Sequence, residues 1–295
     1  AHESMYYCNR GSTKEQLKDF AGALTDYNEA IRLNPQYFEV YYARGTLKID
    51  MHDFRGGIAD YDEAIRLNPQ YFEAYNNRGN LRSMLGDFRG ALSDYQKTLQ
   101  ISKSSETYTN IGLARVNTGD LTGAMNDYNE AISLNPQYLR AYYSRSFLKE
   151  KMNDWEGAMS DYTLALQLDP QNPEIYSNRG HAKARRKDFT GALEDYNQVI
   201  QLVPTAEAYQ TRGDAKSQLG EFRGAIADYT LALQINPQNE LIYLNRGVLY
   251  SQYKKGNEAK SDFLQFLKLT QHSQDPRILM AREKILSNFP EFRGK

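Results

Sequence analysis

The chain has 295 residues, with 36 lysines and arginines against 37 aspartates and glutamates, so its formal net charge is −1. This balance argues against a protein whose whole surface binds nucleic acid or an anionic membrane, because such binding needs an excess of basic residues. There is no apolar run of about 18 residues, so we expect no membrane insertion. The single cysteine, Cys8, excludes an internal disulfide and a thiolate zinc site.

The N-terminal segment lacks the apolar core of a signal peptide, which slightly favours a cytoplasmic protein. The chain begins with Ala1 rather than Met, and this leaves export open, because the N-terminus could be a processing site.

An Asp-Tyr pair, replaced by Asp-Phe at Asp262, recurs eight times at intervals of 33 or 34 residues. Self-similarity at such a period is the signature of a repeat architecture. We number the repeat positions 1 to 34, starting at Ser4. The repeats are then 4–37, 38–71, 72–104, 105–138, 139–172, 173–205, 206–239 and 240–273.

The pattern within each repeat predicts two helices, because apolar and small residues recur at helical rather than strand spacing. The first helix spans repeat positions 2 to 14, and an Asp at position 16 of six repeats is a predicted N-cap of the second. Pro at position 32 of six repeats predicts that the second helix ends there.

Small and aromatic residues occupy fixed repeat positions, where paired helices are expected to touch. Position 8 is Gly in seven repeats, and position 20 is Ala in seven. Tyr stands at position 4 of all eight repeats and at position 24 of seven, and we expect these rings to fill the seams between helices.

These residues resemble the tetratricopeptide repeat, a helix–turn–helix unit of 34 residues. The resemblance implies an all-α fold, a right-handed α-solenoid (superhelix) of eight repeats over 4–273, with a concave groove lined by first helices. Asp275 followed by Pro276 predicts a further helix over 276–288, within a capping segment 274–295.

The sequence contains no motif of a catalytic, nucleotide-binding or metal-binding site. No two of its four histidines pair at helical spacing, and its many carboxylates recur once per repeat. A residue present in every repeat belongs to the architecture, whereas catalysis needs a unique constellation. We therefore expect no enzyme activity, no cofactor and no metal.

Position 7 is Arg in seven repeats and Ile111 in the fourth, whereas position 23 is Asp in all eight. The favoured interpretation is a series of partly buried Arg–Asp pairs between helices. The alternative is a stripe that binds anions.

In the family that the repeats resemble, positions 2, 5, 6, 9, 12 and 13 line the groove. Position 6 is Asn in five repeats, and a carboxamide offers a donor and an acceptor to a peptide backbone. The alternative is that these asparagines bond neighbouring helices. Aromatic residues in the middle of the groove are candidate anchors for a partner. The predicted peptide-binding residues are Tyr42, Asn77, Asn110, Tyr143, Phe147, Asn178 and Asn245.

The groove differs from the carboxylate clamp of chaperone-binding relatives, which needs Lys at position 5. Position 5 is never Lys here, and position 2 is mostly Glu, which also disfavours nucleic acid. We therefore expect a non-enzymatic scaffold that binds an extended peptide segment of a protein partner. The alternative is a self-associating protein, a homodimer through an N-terminal edge where Met5, Tyr6 and Leu17 lack a preceding repeat.

Overall fold

The computed structural model describes residues 2–292, which form 17 α-helices and a short 3-10 helix at Pro290–Phe292, with no strand in this range. The odd-numbered first helices are α1 His2–Gln16, α3 Phe38–Asp50, α5 Phe72–Met84, α7 Ser105–Thr118, α9 Leu139–Lys151, α11 Pro173–Arg185, α13 Ala206–Gln218 and α15 Glu240–Gln252. The even-numbered second helices are α2 Phe20–Leu33, α4 Phe54–Leu67, α6 Phe88–Ile101, α8 Leu121–Leu134, α10 Trp155–Leu168, α12 Phe189–Leu202, α14 Phe222–Ile235 and α16 Gly256–Leu269. The last helix is α17, Pro276–Asn288.

The helices belong to two compact units, and each unit is a stack of helix pairs. The N-terminal unit ends at Leu168 and holds α1 to α10, and the C-terminal unit begins at Asp169 and holds α11 to α17. In both units a first helix packs against the second helix of its own repeat and against the second helix of the repeat before it. This arrangement is an α-solenoid, as the sequence predicts.

The second helices start where the sequence predicts and end earlier. Asp19 is typical of the N-caps, because its carboxylate accepts a hydrogen bond from the backbone N–H of Gly22 at 2.9 Å. The predicted end at position 32 is wrong: α2 ends at Leu33, and Asn34 is its C-cap. The helix therefore stops two residues before Pro35, because the residue preceding a proline is sterically kept out of the helical region.

A left-handed residue follows every first helix at position 15 of its repeat. Three repeats use glycine there, as at Gly119 with φ 89°, whereas five use a larger residue, as at Lys187 with φ 63°. Only glycine reaches this region without steric cost, so the turn geometry is imposed by the packing of the helix pair rather than by residue choice.

The core lies along the seam between paired helices, where position-8 glycines face position-24 tyrosines. A Cβ atom added to Gly112 would lie 2.5 Å from Cε1 of Tyr128, whose side chain is 0 % exposed. The glycine therefore gives the ring room to lie flat against the helix backbone. At the C-terminal end Ile285 of α17 and Phe292 are buried against Phe263 and Phe266 of α16, so α17 covers the last helix pair.

Candidate functional site

The position-7 arginines pair with the position-23 aspartates of their own repeats, as the sequence predicts. In the second repeat, Arg44 Nε and Nη2 donate to the two carboxylate oxygens of Asp60 at 2.9 and 2.6 Å. The same pairing, made by both nitrogens, occurs in every repeat that has the arginine: Arg10–Asp26, Arg44–Asp60, Arg78–Asp94, Arg145–Asp161, Arg179–Asp195, Arg212–Asp228 and Arg246–Asp262.

The remaining guanidinium nitrogen joins one repeat to the preceding one. Arg44 Nη1 donates to Asn28 Oδ1 at 2.7 Å, and Arg145 Nη1 donates to Asn129 Oδ1 at 2.6 Å. The guanidinium also lies near the tyrosine at position 4, with Arg44 Cζ 5.6 Å from the Tyr41 ring centroid. These arginines are therefore committed to packing, which argues against the alternative of an anion-binding stripe.

A second cation shares most of the position-23 aspartates. Lys48 Nζ lies 2.8 Å from Asp60 Oδ2, so this buried carboxylate is held by two positive groups. Repeat four differs, because Ile111 replaces the arginine and Asp127 keeps only Arg115, at 2.7 Å, among the described residues. Burial raises the pKa of Asp127 to about 6, and the single arginine only partly offsets it.

The two predicted asparagines of the N-terminal unit donate side-chain hydrogen bonds to other side chains of the protein. Asn77 Nδ2 donates to the Tyr42 hydroxyl at 2.8 Å, and Asn110 Nδ2 donates to Asn80 Oδ1 at 3.1 Å. Asn110 is only 5 % exposed, so its amide contributes to packing between first helices. Asn77 is half-buried.

In the C-terminal unit the two predicted asparagines each line a cavity. Asn178 donates to the Glu174 carbonyl of its own helix at 2.9 Å, and Asn245 donates to Asp214 Oδ1 at 3.3 Å. The cavity at Asn178 measures about 440 Å³ and opens between α11 and α13. The cavity at Asn245 measures about 680 Å³ and opens between α15 and α17.

The second cavity is largely apolar, and part of its wall comes from α17. Leu244 and Val248 of α15 face Met280 and Ile285 of α17. The repeat pattern locates the α15 residues on the groove, but α17 lies outside the repeats. Only its own helical spacing of apolar residues could have indicated this half of the cavity.

The predicted aromatic anchors lie in two clusters of the N-terminal unit. Tyr143 and Phe147 are neighbours on α9, with ring centroids 5.0 Å apart, and Phe147 is 41 % exposed. Tyr42 is half-buried, and its ring centroid lies 5.1 Å from that of Tyr71. Tyr71 was not among the predicted residues, because the N-cap position of α5 lies outside the groove positions of the family pattern.

No group of three or more His, Cys, Asp or Glu side chains within residues 2–292 could hold a metal ion. His181 contacts the buried Tyr196, with ring centroids 5.5 Å apart, and burial lowers its pKa, so the imidazole is largely neutral near pH 7. Over the same described range, no helix combines the length and the apolar character needed to cross a membrane.

The fold resembles that of several solved structures. A tetratricopeptide repeat protein from Parabacteroides merdae is 19 % identical, with a TM-score of 0.65, over 84 % of this chain and 99 % of that one. The C-terminal part of a TPR repeat-containing protein from Cytophaga hutchinsonii is 13 % identical, with a TM-score of 0.68, over 81 % and 98 %. MamA from Desulfovibrio magneticus is 19 % identical, with a TM-score of 0.53, over 59 % and 98 %. At these identities the likeness establishes the fold alone.

The comparison with curated proteins gave no match. The family described as TPR repeat matches residues 7–48, 53–86, 112–153, 151–186 and 213–254, which together make up well over half of the sequence. With helix pairs that recur at the same period, these matches show that the chain belongs to the tetratricopeptide repeat family, whose members are generally protein-interaction scaffolds without enzymatic activity.

Proposed function

We propose that the chain binds extended peptide segments of protein partners on the faces formed by its first helices. The observation that carries the proposal is that the cavities at Asn178 and Asn245 both open along first helices, at groove positions of the repeat. Asn77, Asn178 and Asn245 are the side chains that we propose bond a peptide backbone, because a carboxamide offers both a donor and an acceptor. Tyr143 and Phe147 supply an aromatic contact in the N-terminal unit.

Selection from a displayed library of random peptides tests this proposal. Asn178→Ala should lower the affinity of all peptides bound at its cavity to a similar extent, because contacts to a peptide backbone do not depend on the peptide's sequence. Phe147→Ala should instead change which peptides are selected, because a side-chain pocket does depend on sequence. Failure of the folded protein to select any peptide, or identical selections by wild type and both variants, would overturn the proposal.

Self-association through α1 is the second candidate, and exposed apolar side chains favour it. Met5, Tyr6 and Leu17 are 46 %, 58 % and 75 % exposed. A two-fold axis would bring the same strip of both chains together. Sedimentation at several concentrations tests this candidate, with Tyr6→Glu as the disrupting variant. A monomer at every concentration would reject it without affecting the peptide proposal.

A further inference from the structure

The first-helix faces carry an excess of acidic residues, although the chain as a whole is nearly neutral. The groove positions of the C-terminal unit hold three acidic residues and one arginine, namely Glu174, Glu207, Asp214 and Arg185. Those of the N-terminal unit hold six acidic and two basic residues. A surface with this charge attracts a cationic partner and repels an anionic one.

Some of these carboxylates already have partners inside the protein. Asp214 accepts the Tyr229 hydroxyl at 2.6 Å, and in the N-terminal unit Glu15 accepts the Tyr27 hydroxyl at the same distance. Glu174 and Glu207, both at repeat position 2, are exposed where their first helices begin. Glu207 is exposed and forms no ion pair with a residue of the described part of the chain.

Two of the position-2 glutamates converge on one cavity. Glu174 of α11 and Glu207 of α13 both line the space of about 440 Å³ that also contains Asn178. No lysine or arginine lines it, and its imidazole, that of His181, is largely neutral. Val203, which is 43 % exposed, provides an apolar surface in the same cavity. A long side chain with an apolar stem and a cationic end matches these features.

We propose that this cavity takes a lysine or arginine side chain of a bound peptide, with Glu174 and Glu207 pairing with its cation. The stem of that side chain lies along Val203, and Asn178 bonds the backbone beside it. This inference rests on the proposed peptide binding and adds the chemistry of the partner, a basic extended segment. Acidic peptides are repelled from the same surface.

The test selects displayed random peptides of about twelve residues on the full chain and then measures one selected peptide by fluorescence anisotropy. The double variant Glu174→Gln and Glu207→Gln removes both charges while keeping the side-chain shape. Glu194→Gln is the matched control, because Glu194 is exposed on α12 of the same unit and does not line the cavity. Circular dichroism checks that the variants keep their fold.

We expect the selected peptides to be enriched in lysine and arginine. The double variant should bind about two- to five-fold more weakly for each carboxylate removed, as for exposed ion pairs, and the control should bind like wild type. Affinity should also fall as salt concentration rises. Selected peptides without this enrichment, or an unchanged affinity of the double variant, would overturn the inference while leaving peptide binding intact. If no peptide is selected, the proposed function itself fails.

Discussion

The carboxylate of Asp127 is held by the guanidinium of Arg115, with Asp127 Oδ2 and Arg115 Nη1 2.7 Å apart. In every other repeat an arginine at position 7 binds the equivalent aspartate with two nitrogens, but repeat four has Ile111. Asp127 is nearly as buried as the other aspartates and has less positive charge near it. Burying a carboxylate without full compensation costs free energy. The buried aspartate of repeat four is therefore the least well compensated of the series.

Asp127→Asn should change the free energy of unfolding little at pH 7, by less than about 1 kcal/mol, because it removes a poorly compensated charge. The matched variant Asp161→Asn should cost about 3 kcal/mol, because Arg145 and Lys149 both lie within 2.9 Å of Asp161 and would be left partly buried. Urea unfolding of both variants makes the comparison. Equal losses would contradict the assignment of repeat four as the exception.

Stability should depend on pH through Asp127, and the sign follows from its raised pKa. In the folded protein the pKa is about 6, above the value of 3.8 for an exposed aspartate, so the folded state binds the proton more tightly. Protonation of Asp127 therefore adds to the free energy of unfolding as pH falls through 6. From pH 7.5 to pH 5, wild type should gain about 1 kcal/mol relative to Asp127→Asn.

Unfolding curves of the two proteins at each pH measure this difference. All other titrating groups are present in both proteins, so their effects cancel in the difference between wild type and Asp127→Asn. A difference that stays constant across the range, or that moves in the opposite direction, would refute the assigned pKa shift.

Arg78 joins two repeats, because it pairs with Asp94 of its own repeat and with Asp62 of the preceding one. Arg78→Ala should therefore cost about 3 kcal/mol, since it leaves the buried Asp94 with Arg82 as its remaining partner. The control is Arg66→Ala, which breaks an exposed pair with Glu63 and should cost no more than about 0.5 kcal/mol. Chemical denaturation of both variants measures the two losses of stability. Similar losses would show that the pairs made by Arg78 do not stabilise the fold more than an exposed ion pair does.

The close approach of helix and ring at Gly112 gives a further stability test. Gly112→Ala would push a methyl group into the buried Tyr128 ring and should cost about 1–3 kcal/mol. Gly256→Ala is the matched control, because nothing lies within 4 Å of the added atom, and it should be neutral or slightly stabilising. The prediction is checked by thermal unfolding, and an unaffected Gly112→Ala would contradict the packing account.

Much of the fold could be predicted because similar residue types occupy the same packing positions in successive repeats. The Arg–Asp pairs and the helix α17 follow from residue type and spacing alone, and both are found. The side-chain partners of the asparagines could not be predicted in this way. Whether Asn77 faces a ligand or Tyr42 depends on which side chain stands one repeat away, and Asn110 turns inward because Asn80 accepts its bond.

The two cavities could not be predicted from the sequence either, because residues of at least two helices form the walls of each. Glu174 and Glu207 are 33 residues apart in the chain, and the period alone shows only that they occupy equivalent positions. Their convergence on one space depends on how α11 and α13 pack.

Photo-crosslinking to a selected peptide tests most directly the claim that first helices form the binding face. The photoreactive residue p-benzoylphenylalanine replaces Phe147 on α9 or, as a matched control, Leu164 on α10, whose side chains are 41 % and 37 % exposed in the same unit. For peptides whose selection depends on Phe147, the account predicts a strong crosslink from position 147 and little or none from position 164. Crosslinking from position 164 that equals or exceeds that from position 147 would contradict it.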